Sequence, residues 1–377
     1  MKIPYIMTPG PTQVRENVRL ARAMETTNPD LDLQFYEFYK KLCDKIATFL
    51  NTENQVRVLC GEGILGLEAA CASLTESGDR VLVIDNGIFG EGFADFVKMY
   101  GGETVFFKGD RHKQINLKEL EDFLIKDSKF KYATIVHCDT PSGVLNDISK
   151  ICPLLKRYGI LTVVDSVAAM GGQEVKVDDW DIDIVLGGSQ KCISAPPGLT
   201  LLSISDDAFN AMKERKTTIA SFYCNLLIWK DYYENKWFPY TMPISDLMGL
   251  DAAIDNILED KSIVERHKKI AKATREAIEA AGLELYIEEG YADTVTVIQV
   301  PNGLDDKAIR EYMLNNYDVF IAGSFGYLEG KVLRIGHMGE NCRIEKISYT
   351  LFALQKALEH YGFKCRVDMC KEFNNRY

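Results

Sequence analysis

The residues best suited to covalent chemistry are an aspartate and a lysine, each following a short apolar run of the sequence. Asp165 comes directly after Ile160–Val164, and Lys191 lies shortly after Ile182–Leu186. Short runs rich in β-branched residues, bounded by glycine and aspartate, are typical of buried strands in a parallel sheet. Because open α/β sheets bind ligands beyond the carboxyl ends of their strands, we expect Asp165 and Lys191 to face one crevice.

A desolvated lysine near a fixed carboxylate suits an enzyme that forms a Schiff base with pyridoxal 5′-phosphate (PLP). In that chemistry Lys191 binds the cofactor aldehyde and shuttles a proton. Asp165 keeps the pyridine nitrogen protonated, so that the ring accepts electrons. The alternatives are a helix-capping role for Asp165 and a solvated loop position for Lys191.

A glycine-rich turn, Gly61–Gly66, follows a predicted strand and opens a predicted helix. The N–H groups and the dipole at a helix N-terminus make such a turn an anion site. The turn also matches the dinucleotide pattern G-x-G-x-x-G, with Asp85 about 20 residues further on, so an NAD-dependent oxidoreductase is a rival interpretation. Hydride transfer needs no strand-end lysine paired with a strand-end acid, so Asp165 and Lys191 favour PLP.

Three further side chains have chemistry that fits a PLP site. Thr140 follows a predicted strand and could hydrogen-bond the ring oxygen, whereas the nearby His137 is expected to be a buried, satisfied histidine. Phe89 could lay its ring on the pyridine face or belong to the core. Arg334 lies inside an apolar strand, and its guanidinium matches a carboxylate bidentately. It is therefore the candidate for the substrate α-carboxylate, with an internal salt bridge as the alternative.

Composition indicates an ordinary globular protein of more than one domain. The chain has 377 residues, 46% of them hydrophobic and 26% charged, and a formal net charge of −11. This acidity argues against nucleic-acid and anionic-membrane partners. The ten cysteines are scattered, there is no signal-peptide pattern, and no run approaches the ~18 apolar residues of a membrane helix, so we expect a cytoplasmic protein. The five histidines lack paired-ligand spacing, so no metal site is expected.

Strands and helices alternate through the first two thirds of the chain, which predicts an α/β fold with a mostly parallel, seven-stranded sheet covered by helices. The predicted strands are Val56–Cys60, Arg80–Ile84, Thr104–Phe107, Tyr132–Val136, Ile160–Val164, Ile182–Leu186 and Leu199–Ile204. The predicted helices between them are Ile64–Leu74, Phe89–Tyr100, Leu117–Ile125 and Ile148–Tyr158.

We expect three parts: an N-terminal arm (1–16), a large domain (17–258) and a smaller C-terminal α+β domain (259–377). The arm contains the rigid segment Thr8–Thr12, whose prolines disfavour helix. An aromatic-rich, irregular segment, Phe209–Leu247, suits an interface, a site wall or ordinary packing. The predicted elements of the small domain are Lys261–Ala281, Val295–Val300, Asp305–Asn316, Val332–Ile335 and Glu345–Tyr361.

Several motifs occur in the order in which a known family carries them: Thr8–Thr12, Gly61–Gly66, Asn86–Gly90, Val164–Ala168, Gly188–Lys191 with Ala195–Gly198, and Leu333–Gly336. Together they resemble a class V aminotransferase of the alanine–glyoxylate/serine–pyruvate type, with PLP fold type I. The resemblance covers essentially the whole chain.

The resemblance implies a homodimer with active sites at the subunit interface. It implies Lys191 as the Schiff-base lysine, Asp165 as the pyridine partner, and Thr241 as a phosphate ligand in the partner subunit's site. Gly63 and Ile64 would give backbone N–H groups to the phosphate. The cofactor-binding residues it predicts are Glu62, Gly63, Ile64, Phe89, Thr140, Asp165, Val167, Gln190, Lys191 and Thr241, and the substrate-binding residues are Arg334 and Gly10.

Three departures from the family pattern concern the substrate more than the cofactor. Glu62 stands where relatives often have serine or threonine, and a carboxylate beside a phosphate is unfavourable. Glu62 is therefore expected to point away, or other groups hold the phosphate. Phe238 replaces a tyrosine, and the segment Thr27–Asp30 replaces a His-Arg pair.

The expected function is a PLP-dependent aminotransferase that moves an amino group from alanine or serine to glyoxylate or pyruvate by a ping-pong cycle. Burial should lower the pKa of Lys191, so that its neutral amine acts as general acid and base. Within the same fold the donor could instead be aspartate, ureidoglycine or 2-aminoethylphosphonate. A non-catalytic PLP-binding protein and the NAD-dependent oxidoreductase are the alternatives from other classes.

Overall fold

The computed structural model describes residues 3–377. The helices are α1 Glu16–Arg22, α2 Leu33–Leu50, α3 Gly63–Leu74, α4 Ile88–Met99, α5 Leu117–Lys126, α6 Ile148–Arg157, α7 Asp206–Lys213, α8 Tyr232–Asn235, α9 Ile244–Glu259, α10 Ile263–Ala280, α11 Asp306–Tyr317, α12 Ile344–His360 and α13 Met369–Arg376. The strands are β1 Tyr5–Ile6, β2 Gln55–Cys60, β3 Arg80–Asp85, β4 Glu103–Lys108, β5 Tyr132–Val136, β6 Cys138–Asp139, β7 Val144–Leu145, β8 Leu161–Asp165, β9 Ile184–Gly188, β10 Leu199–Ile204, β11 Val295–Gln299, β12 Val319–Phe320 and β13 Val332–Gly336. Within residues 3–377, no helix has the length and apolar character needed to cross a membrane.

The centre of the fold is a seven-stranded sheet with the order β2-β10-β9-β8-β5-β3-β4. Strand β10 runs antiparallel to both of its neighbours, and the other pairings in the sheet are parallel. Helices α2, α3, α4 and α6 pack against the strands. The predicted α/β class and the mostly parallel, seven-stranded sheet are confirmed, and β8 and β9 are neighbours, so their carboxyl ends lie together.

The predicted strand Ile182–Leu186 is displaced by two residues at its start, because β9 begins at Ile184. Asp181 adopts a left-handed φ of 53°, and the N–H of Ile182 donates to the carbonyl of Val177, so these residues belong to a turn. The strand continues instead through Gly187 and Gly188, which pair with β10. Apolar character alone does not reveal such a turn.

Buried apolar side chains form two large clusters. The first runs from Val18 to Ile257 and surrounds the central sheet, and the second joins Met7 of the arm to residues from Ile270 to Phe373. A smaller cluster lies between them and includes Cys192. The division at residues 16 and 258 stays a prediction, which this distribution supports.

The aromatic-rich segment Phe209–Leu247 is more regular than its sequence suggests, since it contains α8 and the ends of α7 and α9. Trp229 and Phe238 are buried in the first cluster, where Phe238 stacks on Tyr36 with ring centroids 4.6 Å apart. Phe222 and Tyr223 are exposed. Ordinary packing therefore accounts for the inner half of this segment.

The N-terminal arm is held in place by backbone hydrogen bonds to residues distant in sequence. Strand β1 pairs with β12, and the N–H of Gly336 donates to the carbonyl of Met7 at 2.7 Å. Further along, Thr12 donates its N–H to the carbonyl of Gln190 at 2.9 Å and its hydroxyl to that of Lys191 at 2.9 Å. The arm thus bridges the last strand of the C-terminal region and the loop that carries Lys191.

We expect Gly336→Ala to loosen this arm. A Cβ at Gly336 would overlap the carbonyl oxygen of Thr8 and lie 2.5 Å from Pro9, so the arm must shift. Overpacking of this kind costs about 1–3 kcal/mol, to be measured as the free energy of unfolding in urea. Gly92→Ala on α4 is the matched control, since a Cβ there meets nothing within 4 Å and should be neutral or stabilising. Equal destabilisation by both changes would contradict the account.

Candidate active site

A cavity of about 400 Å³ lies at the carboxyl ends of β8 and β9, beside the start of α3. Its walls bring together segments that are far apart in sequence: the arm, the glycine-rich turn, the start of α4, and the loops after β6, β8 and β9. The lining residues are Gly10, Pro11, Glu62, Gly63, Ile64, Leu67, Phe89, Cys138, Thr140, Asp165, Val167, Ala168, Gln190, Lys191 and Pro197. Of the predicted site residues, Thr241 and Arg334 are not part of this lining.

Lys191 projects into the cavity from the loop after β9 and is partly buried. Its Nζ donates a hydrogen bond of 2.6 Å to the carbonyl oxygen of Pro9. Burial lowers the pKa of Lys191, and the nearby charge of Arg334 lowers it further. Gly10 has a φ of +94°, and a Cβ there would lie 2.5 Å from the lysine side chain, so glycine leaves the space that Lys191 occupies.

Asp165 is the last residue of β8 and is 6% exposed. Its Oδ1 accepts a hydrogen bond of 2.9 Å from the N–H of Val167. Burial raises the pKa of Asp165 to about 7, although the Val167 N–H and the Lys191 amine both favour the charged form. Among residues 3–377 the carboxylate accepts from one backbone donor, which leaves its second oxygen able to bind a cationic ring nitrogen.

Phe89 and Thr140 occupy the wall near Asp139, a buried carboxylate to which no role was assigned from sequence. Asp139 Oδ1 accepts from the N–H of Phe89 at 3.0 Å, and its Oδ2 accepts from the hydroxyl of Ser142 at 2.7 Å. These bonds fix the backbone at the start of α4. Burial raises the pKa of Asp139.

The glycine-rich turn does start a helix, as predicted, but Glu62 occupies its N-terminus. Glu62 is the N-cap of α3: its Oε1 accepts from the N–H of Ile64 at 3.1 Å. Its Oε2 accepts from Nε2 of Gln190 at 3.1 Å. The carboxylate therefore lies at the rim of the cavity and does not point away from it.

Arg334 lies just beyond the lining, in the middle of β13, and is 9% exposed. Its guanidinium donates to two backbone carbonyls, those of Gly323 and Thr140. Within residues 3–377 it forms no ion pair with a carboxylate, so the internal salt bridge considered from sequence is not made. Burial lowers the pKa of Arg334 to about 10, with the charge of Asp139 acting in the opposite direction.

Two further sequence candidates lie away from the cavity. The hydroxyl of Thr241 donates to Asp30 at 2.9 Å in an exposed contact, so its expected place in a partner subunit's site stays a prediction. His137 is buried, with Nδ1 3.1 Å from the hydroxyl of Ser166, and burial lowers its pKa to about 3. Its geometry agrees with the structural role expected from sequence.

Sequence reasoning missed several lining residues, among them Pro11, Leu67, Cys138, Ala168 and Pro197. Leu67 follows Gly63 at helical spacing, and the others are direct neighbours of residues or motifs that had been singled out, so proximity along the chain was the available signal. Pro9 lies in the singled-out segment Thr8–Thr12, but its contact with Lys191 is made by a backbone carbonyl, which no residue type signals.

PLP has a pyridine ring whose nitrogen lies opposite the aldehyde-bearing carbon, and a phosphate carried through a methylene on the next ring carbon, so the ring and the phosphate need different surroundings. The ring end fits: Lys191 and Asp165 lie in one cavity with Phe89 beside them. The phosphate end does not fit as well, because two of the donors expected for it, the N–H of Ile64 and the amide of Gln190, are engaged by Glu62.

Comparison with known proteins identifies one family from a family model, from individual relatives and from a solved structure. The family model described as aminotransferase class V matches residues 13–322. Pyridoxamine–pyruvate transaminase of Mesorhizobium japonicum is 32% identical over 96% of this chain and 93% of its own length. Alanine–glyoxylate aminotransferase of Drosophila melanogaster is 31% identical over 97% of this chain and 95% of its own. The crystal structure of ureidoglycine–glyoxylate aminotransferase from Bacillus subtilis superimposes with a TM-score of 0.95, at 28% identity, covering 100% of this chain and 98% of that one.

We expect the stability of the ligand-free protein to depend on pH through Asp165. Its folded pKa of about 7 lies above that of the unfolded chain, so the folded state binds more protons. The free energy of unfolding should therefore fall as pH rises from ~4 to ~7, by up to about 4 kcal/mol. Asp165→Asn should remove this part of the slope and stabilise the protein at pH 8. Urea unfolding across that pH range measures both effects. If the free energy of unfolding had the same pH dependence in the wild-type protein and in Asp165→Asn, the raised pKa of Asp165 would be contradicted.

Proposed function

The chain belongs to the class V aminotransferases, which are PLP-dependent transferases, and from that membership we propose that it moves an amino group between alanine or serine and a small 2-oxo acid, pyruvate or glyoxylate. The observation that carries the proposal is the convergence of the Lys191 amine and the Asp165 carboxylate on one cavity. The membership decides against the NAD-dependent oxidoreductase. Asp85, the acid of that interpretation, accepts from the N–H of Gly87 and does not line the cavity.

Lys191 is the proposed Schiff-base residue and the group that moves the proton at the reacting carbon. A pyridine ring bound in the cavity supplies the electron sink for that step. The depressed pKa of Lys191 favours the neutral amine, which is the form that can accept a proton. The carbonyl of Pro9 orients the amine, since its 2.6 Å hydrogen bond fixes the position of Nζ.

Arg334 is the proposed ligand of the substrate carboxylate. Its charge is largely buried and donates to two backbone carbonyls, which leaves guanidinium N–H groups for a carboxylate. Phe325 lies beside it, with its ring 5.8 Å from the guanidinium carbon and 6.1 Å from the ring of Phe89. Apolar rings at this place favour a small side chain on the substrate.

The names of the relatives include alanine, aspartate, ureidoglycine and pyridoxamine as amino donors. A donor with a second anionic group, such as aspartate or 2-aminoethylphosphonate, needs a second cation. Lys191 is the sole cation among the cavity-lining residues of the described chain, so a second anionic group would have to be held, as Arg334 is proposed to hold the first, from beyond that lining. Pyridoxamine is a second candidate donor, and the observation that favours it is the position of the Glu62 carboxylate.

We further propose that the reaction follows a ping-pong cycle and that the protein is cytoplasmic. We also propose a homodimer in which Thr241 contributes to the partner subunit's site. The exposed Phe222, Tyr223 and Trp237 give the chain an apolar surface that a second subunit could cover.

Chemical trapping tests the role of Lys191. Borohydride reduction of the protein mixed with the ring aldehyde should fix the ring to Lys191, as identified by peptide mass. Lys191→Ala should abolish this modification and reduce alanine formation from pyruvate by about 10³-fold or more. Lys150→Ala, at an exposed helix position, should leave both unchanged. Modification at another lysine, or full activity in Lys191→Ala, would refute the proposed role.

Replacement of Arg334 separates substrate binding from ring binding. We expect Arg334→Lys to raise KM for alanine and for pyruvate by about 10- to 100-fold, because lysine lacks the planar, bidentate fork. Binding of the pyridine ring, followed by absorbance, should stay within about twofold. Arg275→Lys is the control, since Arg275 also donates to a backbone carbonyl but is paired with Asp293, whereas Arg334 donates to the lining residue Thr140. Loss of ring binding together with carboxylate binding would contradict the assignment.

A further inference from the structure

The rim of the cavity where the family's phosphate is expected holds a carboxylate. Glu62 caps α3 with Oε1 and accepts from Gln190 with Oε2. The backbone of the turn is fixed as well, because the hydroxyl of Thr200 donates to the carbonyl oxygens of Gly61 and Glu62 at 3.0 and 2.7 Å. A helix N-terminus is a natural anion site, and here the chain's own anion occupies it.

The backbone of the turn packs closely against its neighbours. A Cβ at Gly63 would lie 2.6 Å from Cγ2 of Val167, so the residue after Glu62 has no space for a side chain on that side. Gly66 is similarly close to Thr200 and Leu186. The Glu62 side chain therefore starts from a fixed backbone position at the rim.

At this rim the Glu62 carboxylate presents a hydrogen-bond acceptor. The N–H of Ile64 and the amide of Gln190, both of which would donate to a phosphate, donate to Glu62 instead. A phosphate monoester carries a charge of about −1.5 to −2 and offers mainly acceptor oxygens. The described lining supplies a single cation, Lys191, against the carboxylates of Glu62 and Asp165. A hydroxyl group, which can donate to a carboxylate, matches this rim better than a phosphate does.

We propose that Glu62 selects an unphosphorylated ring, pyridoxamine or pyridoxal, whose 5′-hydroxyl donates to its carboxylate, so that the ring is exchanged as a substrate. The inference rests on the proposed function, because it names the amino donor for the same cavity. In the overall reaction pyridoxamine and pyruvate give pyridoxal and alanine. The nitrogen moves from C4′ of the ring to C2 of the oxo acid. The keto oxygen of the oxo acid leaves as water, and a water molecule supplies the aldehyde oxygen at C4′. C4′ is oxidised by two electrons, C2 is reduced by two, and the Lys191 amine carries the proton between them.

Binding of two ring forms tests the selectivity without any turnover. The full-length protein, freed of bound vitamers by dialysis, is titrated with pyridoxal and with PLP, and dissociation constants are read from absorbance. We expect pyridoxal to bind at least ~10-fold more tightly than PLP. Glu62→Ser should free the N–H of Ile64 and the amide of Gln190, improve PLP binding by ~10- to 100-fold and remove the preference.

Two control variants separate charge from folding. Glu62→Gln keeps the side-chain length but removes the charge, and we expect it to improve PLP binding by about 10-fold. Glu68→Gln removes a carboxylate from the same helix, where it accepts from Tyr100 outside the cavity lining, and should leave the preference unchanged. Binding of PLP by the wild-type protein as tightly as pyridoxal, or no change of preference in Glu62→Ser, would overturn the proposal.

Turnover distinguishes failure of this inference from failure of the proposed function. We expect alanine and pyridoxal to form in equal amounts from pyridoxamine and pyruvate. If the PLP-loaded protein transfers the amino group of alanine to glyoxylate while pyridoxamine is not consumed, substrate exchange is wrong and the aminotransferase function stands. If neither mixture reacts, the proposed function itself is wrong, whichever ring form binds.

Discussion

The site depends on burying an amine and a carboxylate at one edge of a single sheet. Strands β8 and β9 are parallel neighbours, with Asp165 in register with Leu186, so the loop after β9 brings Lys191 to the acid at the end of β8. Desolvation is the largest influence on both groups, and it shifts their pKa values towards the neutral forms. Burying ions costs several kcal/mol each unless partners compensate. A protonated ring nitrogen is such a partner for Asp165, so ligand binding and the stability of this edge of the sheet are linked.

The N-terminal arm and the C-terminal strands complete what the sheet begins. The carbonyl of Pro9 holds the amine of Lys191, and Gly336 gives the arm the space to pass. Arg334 on β13 reaches the carbonyl of Thr140, and so ties the carboxylate-binding group to the wall of the ring site. The arm, the loop after β9 and strand β13 together fix the Lys191 amine and the Arg334 guanidinium. Small shifts between the two large apolar clusters should therefore change the reaction rate more than the stability of the fold.

The sequence was sufficient for the parts of the fold that periodicity controls. Apolar runs and strand–helix alternation placed the strands of the central sheet, and the position of strand ends placed Asp165 and Lys191 in one cavity. Prediction was weaker where local backbone geometry or long-range backbone contacts determine the bounds of an element or the contacts of a site residue. The turn at Asp181 and Ile182 shortened a predicted strand, α8 was hidden in an aromatic segment, and the contact of Pro9 with Lys191 has no side-chain signature. The orientation of Glu62 could not be predicted either, because its partner Gln190 is distant in sequence.

A phosphate anchor and a hydroxyl anchor lead to different kinds of enzyme on one scaffold. Charge-assisted hydrogen bonds to a phosphate slow dissociation of the ring, and each ~1.4 kcal/mol of lost binding free energy shortens its residence about tenfold when the association rate is unchanged. A ring held through a hydroxyl and one carboxylate therefore exchanges within the catalytic cycle, while the groups that act on C4′ and on the substrate carboxylate stay where they are. On this argument the distinction between cofactor and substrate depends on the rim at Glu62 and Gln190, and not on the catalytic pair of Asp165 and Lys191.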